Sequence, residues 1–91
     1  YSNIIVIHDN FYRMIVKNYK FIWKFFGHEA KGTALHHRIH LVQFALLHRL
    51  ESTESGVEAL SGGQQAFLIV SNTDRKKVEM ALKPHEILDH D

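Results

Sequence analysis

NFYRMIVKNYKFIWKFFG, residues 10–27, is the stretch on which the reading of this chain turns. Tyr12, Ile15, Val16, Tyr19, Ile22, Trp23 and Phe26 recur at i, i+3, i+4, i+7 spacing over four turns, which predicts an amphipathic helix. Asp9 or Asn10 offers a side-chain acceptor to the first turn, and Gly27 suits the left-handed residue that ends a helix. β-Branched and aromatic residues also make a strand hairpin across Met14 to Phe26 a competing reading; the unbroken helical spacing favours the helix. At ~100° per residue the apolar arc of such a helix exceeds half its circumference. A helix lying on one side of a sheet needs an arc of only about 100° or a little more. The surplus calls for a cover: the next helix, a partner chain, or a membrane surface.

The flanks follow from that centre. Upstream, Asn3 to His8 (NIIVIH) reads as a short buried strand. Downstream, Lys31-Gly32 turns the chain and Thr33 is placed to cap a second helix over residues 34–52. Its main core stripe is Leu35, Ile39, Val42, Leu46 and Leu50, with His37, Leu41, Phe44 and His48 as a second stripe nearly opposite. Glu51 to Gly56 is polar. Val57 to Leu60 and Gln65 to Ser71 read as two strands joined through Ser61-Gly62-Gly63-Gln64, with glycines where positive φ is needed. Arg75 to Lys83 is a short helix closed by Pro84, and residues 84–91 form an acidic tail, either frayed or a single helical turn. The expected order is β-α-α-β-β-α. It makes residues 1–91 a single α+β domain, a two-layer sandwich whose three-stranded mixed or antiparallel sheet carries its helices on one face.

Ninety-one residues leave no room for a second core. With 45 % hydrophobic and 23 % charged residues the chain has the balance of a globular protein and not of a disordered one. It has no cysteine, which excludes disulfide staples and thiolate chemistry and favours a reducing intracellular compartment. It begins at Tyr1 and not at methionine, as a processed product or a piece of something longer would. No signal-peptide pattern and no apolar run of membrane-spanning length is present, so a soluble protein is expected. The net charge of +1 conceals an asymmetry: residues 1–50 hold seven Lys/Arg against two acids, and residues 51–91 hold four against eight. Either the halves complement each other within the fold, or a basic face serves a polyanion or a head-to-tail copy.

Three sets of residues could carry function. Arg13, Lys17, Lys20 and Lys24 fall at i, i+4, i+7 and i+11 on the first expected helix, a ridge with no acid in it and a candidate nucleic-acid footprint. Of the eight histidines, His36 and His40 stand four apart, so both rings could meet one metal ion, although nothing in the spacing fixes further ligands. Tyr12, Tyr19, Trp23, Phe26 and Phe44, with His37 and His48, supply aromatic anchors and an amphipathic rim for a protein partner.

Leu60 to Gln65, LSGGQQ, resembles the signature motif of ATP-binding-cassette ATPases, and Gly62-Gly63-Gln64 resembles the GGQ tripeptide of peptide-release factors. The first family would imply a phosphate-binding GxxxxGK[ST] loop upstream, which is missing from this chain, so both stretches are read as a hairpin turn. His8-Asp9 is similar to the dipeptide of HD-type phosphohydrolases but comes without the other ligands of that set. No nucleophile elbow or acid–base carboxylate pair is visible, and no cofactor is called for. The leading expectation is a non-catalytic interaction, assembly or regulatory module. It would self-associate or dock on another protein through the apolar faces of helices 10–27 and 34–52. Nucleic-acid binding is the alternative, and a histidine-based metal-binding module or small metal-dependent enzyme a third. A membrane surface is the least favoured partner.

Overall fold

Period-two alternation, not helical periodicity, organises the aromatic stretch. The computed structural model describes residues 16–52 and 54–90. In it Asn18–Phe26 is a β-strand, β1. Tyr19, Phe21, Trp23 and Phe25 point to one face of the sheet, where they join the hydrophobic cluster, while Lys20, Ile22, Lys24 and Phe26 alternate to the other. Three consecutive residues, Phe21, Ile22 and Trp23, are 0, 2 and 3 % exposed. A strand in mid-sheet can bury successive residues on both of its faces, whereas a helix packed on one side cannot. Within the described residues, the apolar surplus expected of a helix is thus the burial of Phe21, Ile22 and Trp23 in a central strand. The expected strand Asn3 to His8, the caps Asp9 and Asn10, and the first residues of the expected helix lie outside the described residues.

The remaining elements are α1 (Ala30–Leu47), β2 (Ser55–Leu60), β3 (Gly63–Ser71), α2 (Arg75–Leu82) and β4 (Glu86–His90). The sheet is four-stranded and antiparallel throughout, in the order β2-β3-β1-β4. This corrects the expected three-stranded sheet and the order β-α-α-β-β-α, although the α+β class stands. One expected helix is a strand, and the segment read as an acidic tail is an edge strand that pairs Ile87 with Phe21 and Leu88 with Lys20. β1 and β2 are both antiparallel to β3, which lies between them, so the element order β-α-β-β-α-β is that of the split β-α-β, or ferredoxin-like, motif. That architecture hosts many unrelated functions and carries none by itself.

Local chemistry explains the connections. Leu60 pairs with Gly63 across a two-residue turn, Ser61-Gly62, in which Gly62 adopts φ +75. A Cβ on Gly63 would run into the carbonyl oxygen of Phe25, so the adjoining position tolerates no side chain either. Helix α1 ends in a Schellman motif. Arg49 holds the left-handed position at φ 53 and donates to Leu46 O at 3.3 Å, while Leu50 N donates to Ala45 O at 3.0 Å and turns its side chain into the core. Lys83, at φ 46, closes α2 just ahead of Pro84.

The core lies between the sheet and both helices: Phe21, Trp23, Ala66, Leu68 and Val70 from the sheet meet Leu41 and Ala45 of α1 and Val78 of α2. Trp23 fixes α2 through an indole Nε1 donation of 2.8 Å to the Leu82 carbonyl. The face that α1 turns inward is the reverse of the expected one. Ala30, Ala34, Leu41 and Ala45 are buried, while Leu35, Ile39 and Leu46 of the expected core stripe are 44, 55 and 65 % exposed; Leu50, beyond the helix end, alone of that stripe is buried. Bulk is the reason. The sheet already projects Phe21, Trp23 and Phe25, and a row of alanines lets the helix backbone settle close over them. Among the described residues no helix is long and apolar enough to cross a membrane.

Candidate functional site

Inverting α1 leaves an apolar stripe on its outer side. Leu35, Ile39, Val42 and Leu46 succeed one another at i, i+4, i+7 and i+11, so they form one ridge along the helix. A shallow groove is lined by Leu35, Arg38, Ile39, Val42 and Gln43. Arg38 borders it and is steadied by an Nε donation of 3.2 Å to Ser55 Oγ of β2. Its neighbours on the helix are all cationic or neutral: between residues 30 and 50 the chain has Lys31, Arg38, Arg49 and four histidines, and no acid. None of Lys31, Arg38 and Arg49 has a carboxylate partner among the described residues. The groove is therefore a hydrophobic strip bordered by one cation, Arg38.

The expected basic ridge is dispersed by the strand. Lys20 and Lys24 lie on the sheet face away from the helices, whereas Lys17, against the Tyr19 ring at 5.4 Å, lies towards the other; Arg13 is outside the described residues. Each of the three described lysines meets an acid of the second half of the chain. Lys17 Nζ is 3.4 Å from Asp89, Lys20 Nζ 2.8 Å from Glu58 and Lys24 Nζ 3.1 Å from Glu86. Hydrogen bonds from Lys20 and from Gln65 hold the Glu58 carboxyl below its ordinary value. Phe67, the aromatic ring at the centre of that face, is occupied as well: its ring covers Gly56, and the Lys20 ammonium stands 4.6 Å from its centroid. A phosphate-binding face needs cations free of internal carboxylates and rings open to bases. Lys17, Lys20 and Lys24 thus find their acids inside the fold, whereas Lys31, Arg38 and Arg49 do not among the described residues.

The expected aromatic anchors are scattered. Trp23 belongs to the core, and Tyr19 packs against it with the Arg75 guanidinium 4.4 Å from its ring centroid. Phe44 is half-buried, its ring 4.1 Å from that of the exposed His48. Phe26 is exposed at the end of β1, on the sheet face away from the helices, and Tyr12 is outside the described residues. His37 is wedged against Trp23 and Phe25, with ring centroids 5.1 and 5.4 Å away. Its Nε2 is buried without a hydrogen-bond partner among the described residues. Burial, followed by the nearby His40, His85 and His36, lowers its pKa from the ordinary value.

His36 and His40 do come together, Nε2 to Nε2 at 2.9 Å, on the exposed side of α1. No third histidine, aspartate or glutamate completes a metal-binding group among the described residues. His8-Asp9 lies outside them, and LSGGQQ falls on the β2–β3 hairpin, not at the start of a helix. Comparison with protein-family models, with curated proteins and with solved structures finds no match to this chain. The outer stripe of α1 had a signal in the sequence, since Leu35, Ile39, Val42 and Leu46 were legible as a ridge; what the residues alone did not give was the side it faces.

Proposed function

We propose that this protein is a non-catalytic interaction module whose outer α1 ridge docks an acidic amphipathic helix of another protein. The carrying observation is the combination of exposed Leu35, Ile39 and Leu46 and half-buried Val42 along one ridge with the Arg38 guanidinium, which has no carboxylate partner among the described residues, at the edge of the groove. Helix-in-groove recognition uses this spacing: anchors at i, i+4 and i+7 enter a hydrophobic strip while flanking charges set orientation and speed of encounter. Charge also selects the occupant. Two copies meeting along this ridge would bring Arg38 against a surface with no acid in the groove to receive it, whereas a glutamate on a partner helix would pair with it. The internal pairing of Lys17, Lys20 and Lys24 gives the nucleic-acid alternative no comparable support.

The test is a titration, followed by amide NMR shifts, with a helical peptide carrying leucines at i, i+4, i+7 and i+11 and flanking glutamates. Shifts concentrated between residues 31 and 49, weakened by salt and abolished by Ile39→Asp, are the expected result. Ile39 is half exposed, so that substitution should change stability by no more than about 0.5 kcal/mol. Absence of shifts at millimolar peptide, or shifts confined to the β1–β3 face, overturns the proposal. So does a wild-type homodimer that Ile39→Asp dissociates, which would assign the ridge to self-association.

A further inference from the structure

The histidine pair on α1 has a geometry that the docking ridge does not explain. His36 and His40 stand one turn apart with their Nε2 atoms 2.9 Å from each other and their rings at 80°. Two neutral imidazoles can approach so closely by sharing one proton, Nε2–H of one ring donating to the lone pair of the other. The third partner decides which is which. Gln43 Oε1 lies 3.2 Å from His40 Nδ1, and an amide oxygen accepts, so His40 carries its proton on Nδ1 and turns the Nε2 lone pair towards His36. A ring whose far nitrogen is tied to an acceptor while its near nitrogen is left as a lone pair is the outer-shell arrangement found behind metal-ligating histidines.

Metal–imidazole bonds of about 2.0–2.1 Å place two neighbouring ligand nitrogens about 3 Å apart, so a pair already in hydrogen-bond contact at 2.9 Å can close on one ion with small side-chain rotations. Imidazole sites take Cu2+ ahead of Ni2+ and Zn2+, which points to the metal. We infer that His36 and His40 form a bidentate chelate for a divalent ion that prefers tetragonal coordination, Cu2+ or Ni2+, with the remaining positions taken by water. Binding requires only that the proton on His36 move from Nε2 to Nδ1 and that small side-chain rotations turn both lone pairs onto one point; both rings stay neutral. Access is open, because the depression beside His36 is lined by Glu29, Gly32 and Thr33, and nothing lies within 4 Å of the position a Cβ on Gly32 would take. The inference stands on this geometry alone and does not depend on what docks at Leu35 to Leu46.

Calorimetric titration of the untagged chain with CuCl2, NiCl2 and ZnCl2 at pH 7.5 tests it. One ion per chain at this site, with affinity falling in the order Cu2+, Ni2+, Zn2+, is expected. The electron paramagnetic resonance spectrum of the copper form should carry hyperfine structure from two equatorial imidazole nitrogens. His36→Gln and His40→Gln should each weaken copper binding at least tenfold and remove that signature. Gln43→Leu should weaken it about tenfold by freeing the His40 ring, and His48→Gln should change nothing. All four positions are exposed, so circular dichroism should show each variant folded. Copper affinity and spectrum unchanged in the His36→Gln/His40→Gln double variant, or a preference for Zn2+ over Cu2+, overturns the inference.

Discussion

Replacing His37 by phenylalanine should stabilise this protein, an unusual expectation for a substitution in contact with a core. The ring sits against Trp23 and Phe25, and its Nε2 is sealed from solvent with no partner among the described residues. An unsatisfied buried polar atom costs about 1–3 kcal/mol. The lower end applies, because the residue is only half-buried. Phenylalanine keeps a flat ring against both neighbours and removes the orphan nitrogen, so a gain of about 1 kcal/mol is expected at pH 7.5, or about 4–8 °C in Tm for a domain of this size. The gain should grow on acidification. Burial and the neighbouring His40, His85 and His36 lower the folded pKa of His37 below its ordinary 6.5, so the unfolded chain protonates first as pH falls. Stability from this position is whole above pH 6.5 and is lost as pH falls through the lowered folded value. Attraction between an imidazolium and the two aromatic rings opposes that shift, but with the rings inclined at 53° and 58° neither presents its face squarely, and burial prevails. Thermal melts of wild type and His37→Phe from pH 8 to pH 5 make the comparison. A variant less stable than wild type at pH 7.5, with a gap that stays constant across the range, would refute the reasoning.

Three further outcomes follow from other parts of the molecule. Arg49→Gly relieves a non-glycine residue at φ 53 in the α1 cap and should raise stability by about 0.5–1 kcal/mol; the same variant removes a cation that has no carboxylate partner among the described residues and should weaken the acidic peptide in the titration above. Gly63→Ala sets a methyl group against the Phe25 carbonyl oxygen and within 2.7 Å of the Phe26 ring, where the β1–β3 register leaves no room to yield. A loss of about 2–4 kcal/mol in urea denaturation is expected. Glu58→Gln removes a carboxyl held below its ordinary 4.5 by Lys20 and Gln65, so wild type should exceed the variant above pH 4.5 and the two should converge as pH falls through the folded value. The side chain is 42 % exposed, which keeps the difference under about 1 kcal/mol.

Elements bounded by local chemistry were legible in the sequence. The β2–β3 hairpin declared itself through Gly62, and α2 through Pro84, because each rests on a backbone requirement of one or two residues. The helix reading failed over Asn18 to Phe26 for a physical reason: large apolar residues interleaved with lysines fit periods of 2 and 3.6 alike, and only the neighbouring strands choose between them. Those neighbours, β3 and β4, come from more than 35 residues downstream, and β4 was hidden in a charged tail whose Ile87 is its sole residue in contact with the core. The outer ridge of α1 was half legible. Hydrophobic pattern identifies a stripe, but the stripe that enters the core is the one whose volume complements the opposing sheet, and alanines facing Trp23 win over leucines. The spacing of His36 and His40 was visible in the sequence, whereas the contact of Gln43 with His40 needed coordinates.

The position of β1 also governs the order in which this protein can assemble. It is the first strand of the sheet described here, yet both of its hydrogen-bonding neighbours are made later: Phe21 waits for Leu68 on one side and for Ile87 on the other. A chain emerging from the ribosome therefore leaves both edges of the Phe21-Ile22-Trp23 segment without β3 and β4 until most of the domain has been made, with α1 as its one early companion among the described residues. Closing pairings across such separations costs loop entropy before any contact repays it, which slows folding and leaves a sticky strand unpaired meanwhile. Lys20 and Lys24, spaced along that strand, then serve as charged interruptions that discourage two unfinished chains from zipping together.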